Sequence, residues 1–175
     1  DETPDPDLPM VQILEQTEEA GVVNTTVRIW ASQDTFVSSN FPNNNYGGWD
    51  FVQAGRDATY GATRALIQFN FSPIPSGSII NSATLFMFQQ QSIPANDPPY
   101  VFGSRFLNSA WNENTVTWSN HNPDWGSVFS QPAVNNVNGW KTFNATSLVN
   151  TWVSGQRANF GMLIQGSNEN QSSAR

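Results

Sequence analysis

From Val22 onward, apolar and polar residues trade places over short stretches separated by Gly, Pro, Asn and Ser. Arg64–Phe71 is the clearest case, with Ile67, Phe69 and Phe71 on one face and Gln68 and Asn70 on the other. That two-residue period is the signature of a strand with one face buried. Val27–Trp30, Thr35–Ser38, Phe51–Ala54, Tyr100–Phe106, Thr115–Trp118 and Met162–Ile164 predict further short strands. Ala83–Phe88 is apolar on both faces, which predicts a strand central to a two-layer structure. Phe41–Gly48 reads as a loop and Pro73-Ile74-Pro75-Ser76-Gly77 as a turn. Only Asn144–Gly155 departs from this period: Leu148, Val149, Trp152 and Val153 form a helical stripe, with Asn144 or Thr146 to cap its start and Gly155 its end. The expected fold class is all-β, a jelly-roll-type β-sandwich with one short helix.

The first 21 residues follow a different rule. Residues 1–7 are too polar and Pro-rich to pack and read as a flexible leader. Leu8–Leu14 is a short apolar run, predicted as a strand. Its competitor is a helix bearing Met10, Ile13 and Leu14 on one face, but Glu18 and Glu19 would then meet the negative end of the dipole. Thr17–Gly21 reads as a linker. The expected organisation is therefore an acidic leader with a candidate donor strand over residues 1–21, then a sandwich over 22–175.

Composition sharpens this division. Seven of the fourteen acids lie in the first 19 residues with no Lys or Arg among them, so the rest is neutral although the chain carries −7. A neutral body has no phosphate-binding stripe, which argues against nucleic acid as a partner. Charged residues make up 12% and aromatics 13% of the chain, a balance suited to sheets rather than to disorder. With no Cys, neither a disulfide nor a thiolate site is available. No stretch reaches the roughly 20 apolar residues of a membrane span. The chain opens at Asp1, and a mature, processed and extracellular or cell-surface protein is expected.

An ordered set of segments carries a resemblance: Asp34–Ser39, Pro42–Gly47, Arg64–Phe69, Ile74–Leu85, Trp111–Trp118 and Ser147–Trp152. Together, over about residues 30–170, they resemble the DNRLRE domain family, also called disaggregatase-related. The resemblance implies a β-sandwich module of a secreted or surface protein, and some members are classed as carbohydrate-binding modules. The family's namesake six-residue string is absent. The resemblance also implies a final Pro-led strand beyond Arg175, whereas Leu8–Leu14, behind Pro9, is similar to that strand at the opposite end. Filling the vacant position with Met10, Val11, Ile13 and Leu14 would bury four apolar side chains, about 6–12 kcal/mol before entropy costs. Typical domains are stable by only about 5–15 kcal/mol. The segment would serve its own body or a neighbouring subunit, and the second case builds a head-to-tail homopolymer. The first expectation is thus a non-enzymatic structural subunit of an extracellular filament. The alternative is a non-catalytic carbohydrate-binding module that takes polysaccharide.

Candidate sites are few. His121, the single histidine, lies in a turn-like run without a nucleophile motif and reads as a surface residue. The acids of the body show no spacing that suggests a catalytic pair, and no cofactor is expected. Asp34, Asn43 and Asn45 would supply oxygens to calcium, although Asx turns explain the Asn run equally well. Trp111, Trp118 and Trp125, with Asn112, Asn114 and Asn120, would stack on and hydrogen-bond a sugar, against a core role for the rings. Arg64, opening a strand, is a candidate buried structural partner. Asn24, Asn70, Asn144 and Asn170 head glycosylation sequons.

Overall fold

The computed structural model describes residues 11–95, 98–128 and 130–175. In chain order its strands are β1 (Val11–Glu19), β2 (Val22–Ile29), β3 (Ala31–Ser38), β4 (Gly55–Asp57), β5 (Gly61–Phe69), β6 (Thr84–Gln89), β7 (Tyr100–Phe106), β8 (Ala133–Val134), β9 (Gly139–Asn144), β10 (Met162–Gly166) and β11 (Ser173–Ala174), with helix α1 (Thr146–Val153) between β9 and β10.

Strand β5 organises the larger layer. One of its edges pairs with β3, from Phe69 opposite Ala31 to Thr63 opposite Ser38. The other edge is divided between β4 at its start and β10 at its end. β10 carries β7 and then β8, while β4 carries β11, giving seven antiparallel strands. Side-chain alternation then sends β5 into two cores. Ala65 and Ile67 join Phe102, Met162 and Ile164 on one face, packed against Phe143 and the helix residues Leu148, Val149 and Trp152. Leu66, with Val37 and Leu163, points the other way and is covered by Leu107, Trp111, Val116, Trp118 and Phe160. Burial on both faces explains why β5 is a largely apolar run broken by Thr63, Arg64 and, near its end, Gln68.

The second layer is narrower. β6 and β9 form a two-stranded sheet whose Leu85, Met87 and Phe143 face the main core. Ala83–Phe88 was expected to be buried on both faces. Only one face is: Phe86 and Phe88 stand 62% and 55% exposed, beside Trp140 at 55%. Helix α1 has Ala145 as its N-cap, without a side-chain cap bond, in place of the expected Asn144 or Thr146; Asn144, one residue earlier, accepts the Thr146 N–H through its Oδ1 at 3.0 Å. The helix ends at Gly155, whose φ of 73° is the left-handed conformation of a helix stop. The all-β sandwich with one short helix is therefore the observed fold.

Two expected strands are absent. Phe51–Ala54 is irregular, with the strand starting only at Gly55. Thr115–Trp118 lies in turns: the N–H groups of Thr115 and Val116 fold back onto the Asn112 carbonyl at 3.0 and 2.9 Å. The Asn112 side chain accepts the Asn114 N–H at 2.9 Å. Asn side chains that bond the local backbone compete with sheet ladders, and here they win.

The described residues of the N-terminal segment, from Val11 on, form neither a helix nor a strand of the body. β1 pairs with β2 in a hairpin closed by Ala20 and Gly21, at φ 51° and 78°. Two successive positive φ values give the turn whose twist matches its strands. The expected linker Thr17–Gly21 is thus the end of β1 and this turn, and Val22 starts the hairpin's second strand rather than the sandwich. The register places Val11, Ile13, Val23, Val27 and Ile29 on one face. Of the four donor-strand residues, Val11 and Ile13 lie on that face, Leu14 sits at a bulge, and Met10 lies outside the described residues. Ile13 and Val23 are 63% and 54% exposed.

Candidate functional site

Arg64 lies on the β5 face opposite the main core, where its aliphatic stem can be buried but its charge needs a partner. Glu169 provides one: Nε and Nη2 of Arg64 donate to the two carboxylate oxygens at 2.7 and 2.8 Å. Nη1 donates to Nε2 of His121 at 2.8 Å, and Nδ1 of that ring donates to the Trp118 carbonyl at 2.7 Å. These contacts fix the neutral tautomer of His121. Burial lowers its pKa, and the neighbouring Arg64 charge lowers it further. The guanidinium carbon also stands 4.1 Å from the Trp118 ring centroid and 4.4 Å from that of Trp125. Arg64 is thus anchored in the plane of its fork by Glu169 and stacked on two indoles.

The segment carrying Trp125 is pinned independently. Nη1 of Arg105, on β7, donates to the Trp125 carbonyl at 2.5 Å. Asp124 accepts from Arg157 at 2.7 Å, from the Gly126 N–H at 2.8 Å and from the Ser127 hydroxyl at 2.9 Å. Those bonds, with Arg157 foremost, hold the Asp124 carboxyl down to about 2. Trp125 itself remains 54% exposed. A rigid loop therefore presents a half-open indole to solvent, a surface on which an apolar ring face can stack. A cavity of about 230 Å³, which meets this cluster at His121, is lined by Trp111, Asn112, Asn120, His121 and Asn122, among others.

The structure distributes the expected sugar-binding residues unevenly. Trp118 and Trp125 meet across Arg64. Trp111 stands in the cavity wall, its Nε1 donating to the Phe160 carbonyl at 2.8 Å. Asn120 is spent locally, accepting the Thr117 N–H and donating to the Thr115 carbonyl. His121 is not the surface residue expected but is half-buried against Arg64 and Trp118. Glu169 was not singled out by sequence. Its only signal is an arginine in a strand that is otherwise buried and apolar, which demands a distant carboxylate. Arg64 is the buried structural partner anticipated.

Asn43 and Asn45 serve loop geometry. The Asn45 amide donates to the carbonyls of Glu113 and Val116, and its Oδ1 accepts the Gly47 N–H. The Asn43 Oδ1 accepts the Ser119 hydroxyl. The Asp34 carboxyl has its pKa raised by burial and by the charge of Glu113. Among the described residues, no group of three His, Cys, Asp or Glu side chains is arranged to hold a metal ion. Asn24, Asn70, Asn144 and Asn170 are all exposed.

An all-β sandwich that seats an open tryptophan on a locked arginine has the build of a sandwich binding module. The comparison of families is specific: the model of carbohydrate-binding module family 96 matches residues 25–175, and the chain belongs to that family. The matching model is not that of the DNRLRE family, and a β-sandwich module of carbohydrate-binding class is consistent with the resemblance. No curated protein matches the chain. Among the described residues, no helix is long and apolar enough to cross a membrane.

Proposed function

We propose that this chain is a non-catalytic, extracellular module that binds polysaccharide, with Trp125 as the stacking platform. Trp118 and Arg64 set the orientation of that platform, and the cavity bordered by Trp111 and His121 accepts adjoining hydroxyl-bearing groups. The observation that carries this reading is the pairing of exposure and rigidity at Trp125. An exposed ring already fixed in place loses little conformational freedom when a sugar stacks on it. Membership of a carbohydrate-binding family supports the same reading. A pull-down against a panel of insoluble polysaccharides, with a glycan array, tests it. Trp125→Ala should weaken binding at least about tenfold, which corresponds to about 1.4 kcal/mol. Unchanged binding by a folded Trp125→Ala protein refutes the assignment.

A second reading, self-assembly at the cell surface through the N-terminal segment, is favoured by one observation. The hairpin of β1 and β2 holds apolar side chains out in solvent on both of its faces, with Ile13, Leu14, Val22 and Val23 all at least half exposed. Such a hairpin standing alone is at best marginally stable in water. In this reading Val11, Ile13 and Leu14 donate apolar surface to a neighbouring subunit, and glycans on Asn24, Asn70 and Asn170 would decorate the resulting assembly.

A further inference from the structure

The second layer of the sandwich carries an uncovered surface of its own. Phe88 lies directly opposite Trp140 across β6 and β9, and Phe86 opposite Thr142 one step further along. Phe88 and Trp140 meet edge to face, with ring centroids 5.4 Å apart and planes at 80°. The three rings form one continuous aromatic strip on the outer face of a sheet only two strands wide. Aromatic rings bury about 150–250 Å² each. At the exposures observed, roughly 260–430 Å² of this strip is open, comparable to the largest apolar patches of ordinary monomers.

We infer that this strip is the acceptor for the β1–β2 hairpin of a second copy of the chain, an inference that rests on the assembly reading above. Three observations select that occupant. Width is the first: a hairpin of two antiparallel strands, eight and nine residues long, spans a sheet of two six-residue strands. Face chemistry is the second. Val11 faces Ile29 and Ile13 faces Val27, an aliphatic quartet on one side of the hairpin's open end, with Gln16, Thr25, Glu18 and Val23 continuing that side towards the turn, so the quartet can settle between rings at the usual spacing of stacked sheets, about 10 Å. Footprint is the third. Covering the strip from both sides removes roughly 500–900 Å², the size of a weak, transient contact. That magnitude sets association in the weak, concentration-dependent range.

The two surfaces differ, one aliphatic and one aromatic, so the contact is heterologous. Each copy offers one of each, and repetition runs head to tail rather than closing as a symmetric dimer. This geometry covers an existing face and needs no vacant strand position within the sandwich.

The absence of cysteine gives a clean test. Val23→Cys lies on the apolar face of the hairpin, Thr142→Cys on the aromatic face, and Ser76→Cys on an unrelated exposed turn. Mixed at high concentration under mild oxidation, Val23→Cys and Thr142→Cys should yield a mixed disulfide dimer, at least about tenfold more than Val23→Cys with Ser76→Cys. The double variant Val23→Cys/Thr142→Cys should give a ladder of covalent oligomers. A disulfide closed within one monomer, or coupling no greater than the control, overturns the inference. Phe88→Ser/Trp140→Ser should abolish the mixed dimer while the circular dichroism spectrum stays native. A polysaccharide pull-down on the same preparations reports separately on the carbohydrate reading, so either can fail alone.

Discussion

Replacing Glu169 with Gln removes one charge and little volume, and its consequences follow from the contacts of Arg64. In the native protein the Arg64 side chain is 8% exposed and that of Glu169 24%, with the shorter of their two bonds at 2.7 Å. Deleting one member of a buried ion pair leaves the other charge in place with its desolvation cost uncompensated, a loss of about 3–5 kcal/mol. Gln retains one acceptor oxygen and the site is partly open to water, so the expectation falls to roughly 2–3 kcal/mol. For a domain of this size that corresponds to a fall in Tm of roughly 4–12 °C. Thermal and urea melts followed by tryptophan fluorescence measure it directly. Arg64→Met/Glu169→Met removes both charges and should recover much of the loss, because two apolar side chains leave nothing unsatisfied. It should not recover polysaccharide binding, since Trp118 and Trp125 lose the cation between them. A Glu169→Gln protein within 0.5 kcal/mol of the parent, or a double variant less stable than the single one, refutes this account of the cluster.

Two further outcomes follow from other parts of the fold. His121 has a folded pKa below its ordinary 6.5, so below pH 6.5 the unfolded chain takes up a proton that the folded chain refuses. Stability should therefore fall as pH drops from 6.5 towards 5, by at most about 1.4 kcal/mol per unit; His121→Asn should flatten that slope in urea melts, and an unchanged slope counts against the neutral, Arg64-facing tautomer. Gly55 has φ 116°, and a Cβ there would sit 2.0 Å from the Ser173 carbonyl oxygen, so Gly55→Ala should cost roughly 2–4 kcal/mol. Hydrogen exchange should place the loosening at Ser173 and Ala174 first, and uniform protection there would contradict the pairing of β4 with β11.

Much of the architecture could be read before the coordinates. The two-residue period of Arg64–Phe71 placed β5, and the Leu148, Val149 and Trp152 stripe placed α1 with its Gly155 end. These signals are local, because the side-chain period and the capping groups lie within a few residues of each other. The readings that failed turned on competition between local forces. Thr115–Trp118 looked like a strand by composition, yet the Asn112 side chain and carbonyl hold it in turns. Thr17–Gly21 looked like a linker, yet two positive φ values at Ala20 and Gly21 closed a hairpin. Of the site, the tryptophans were legible as aromatic residues near Asn, but their partners were not.

The order of apolar and polar residues was enough by itself to dictate an all-β sandwich, one helix, and a charge-rich beginning attached to a neutral body. Residue type and spacing act through the backbone at short range, so they survive in the one-dimensional record. Which side of a strand is covered, and by what, is decided only in three dimensions. Phe86 and Phe88 are as apolar as Phe102, yet the first pair faces solvent while Phe102 is in the core, because one layer is seven strands wide and the other two. Arg64 and Glu169 are 105 positions apart, and only closure of the sheet brings the carboxylate to the guanidinium. Burial and charge pairing are long-range energies, and that is why the cluster around Arg64 became visible with the tertiary structure.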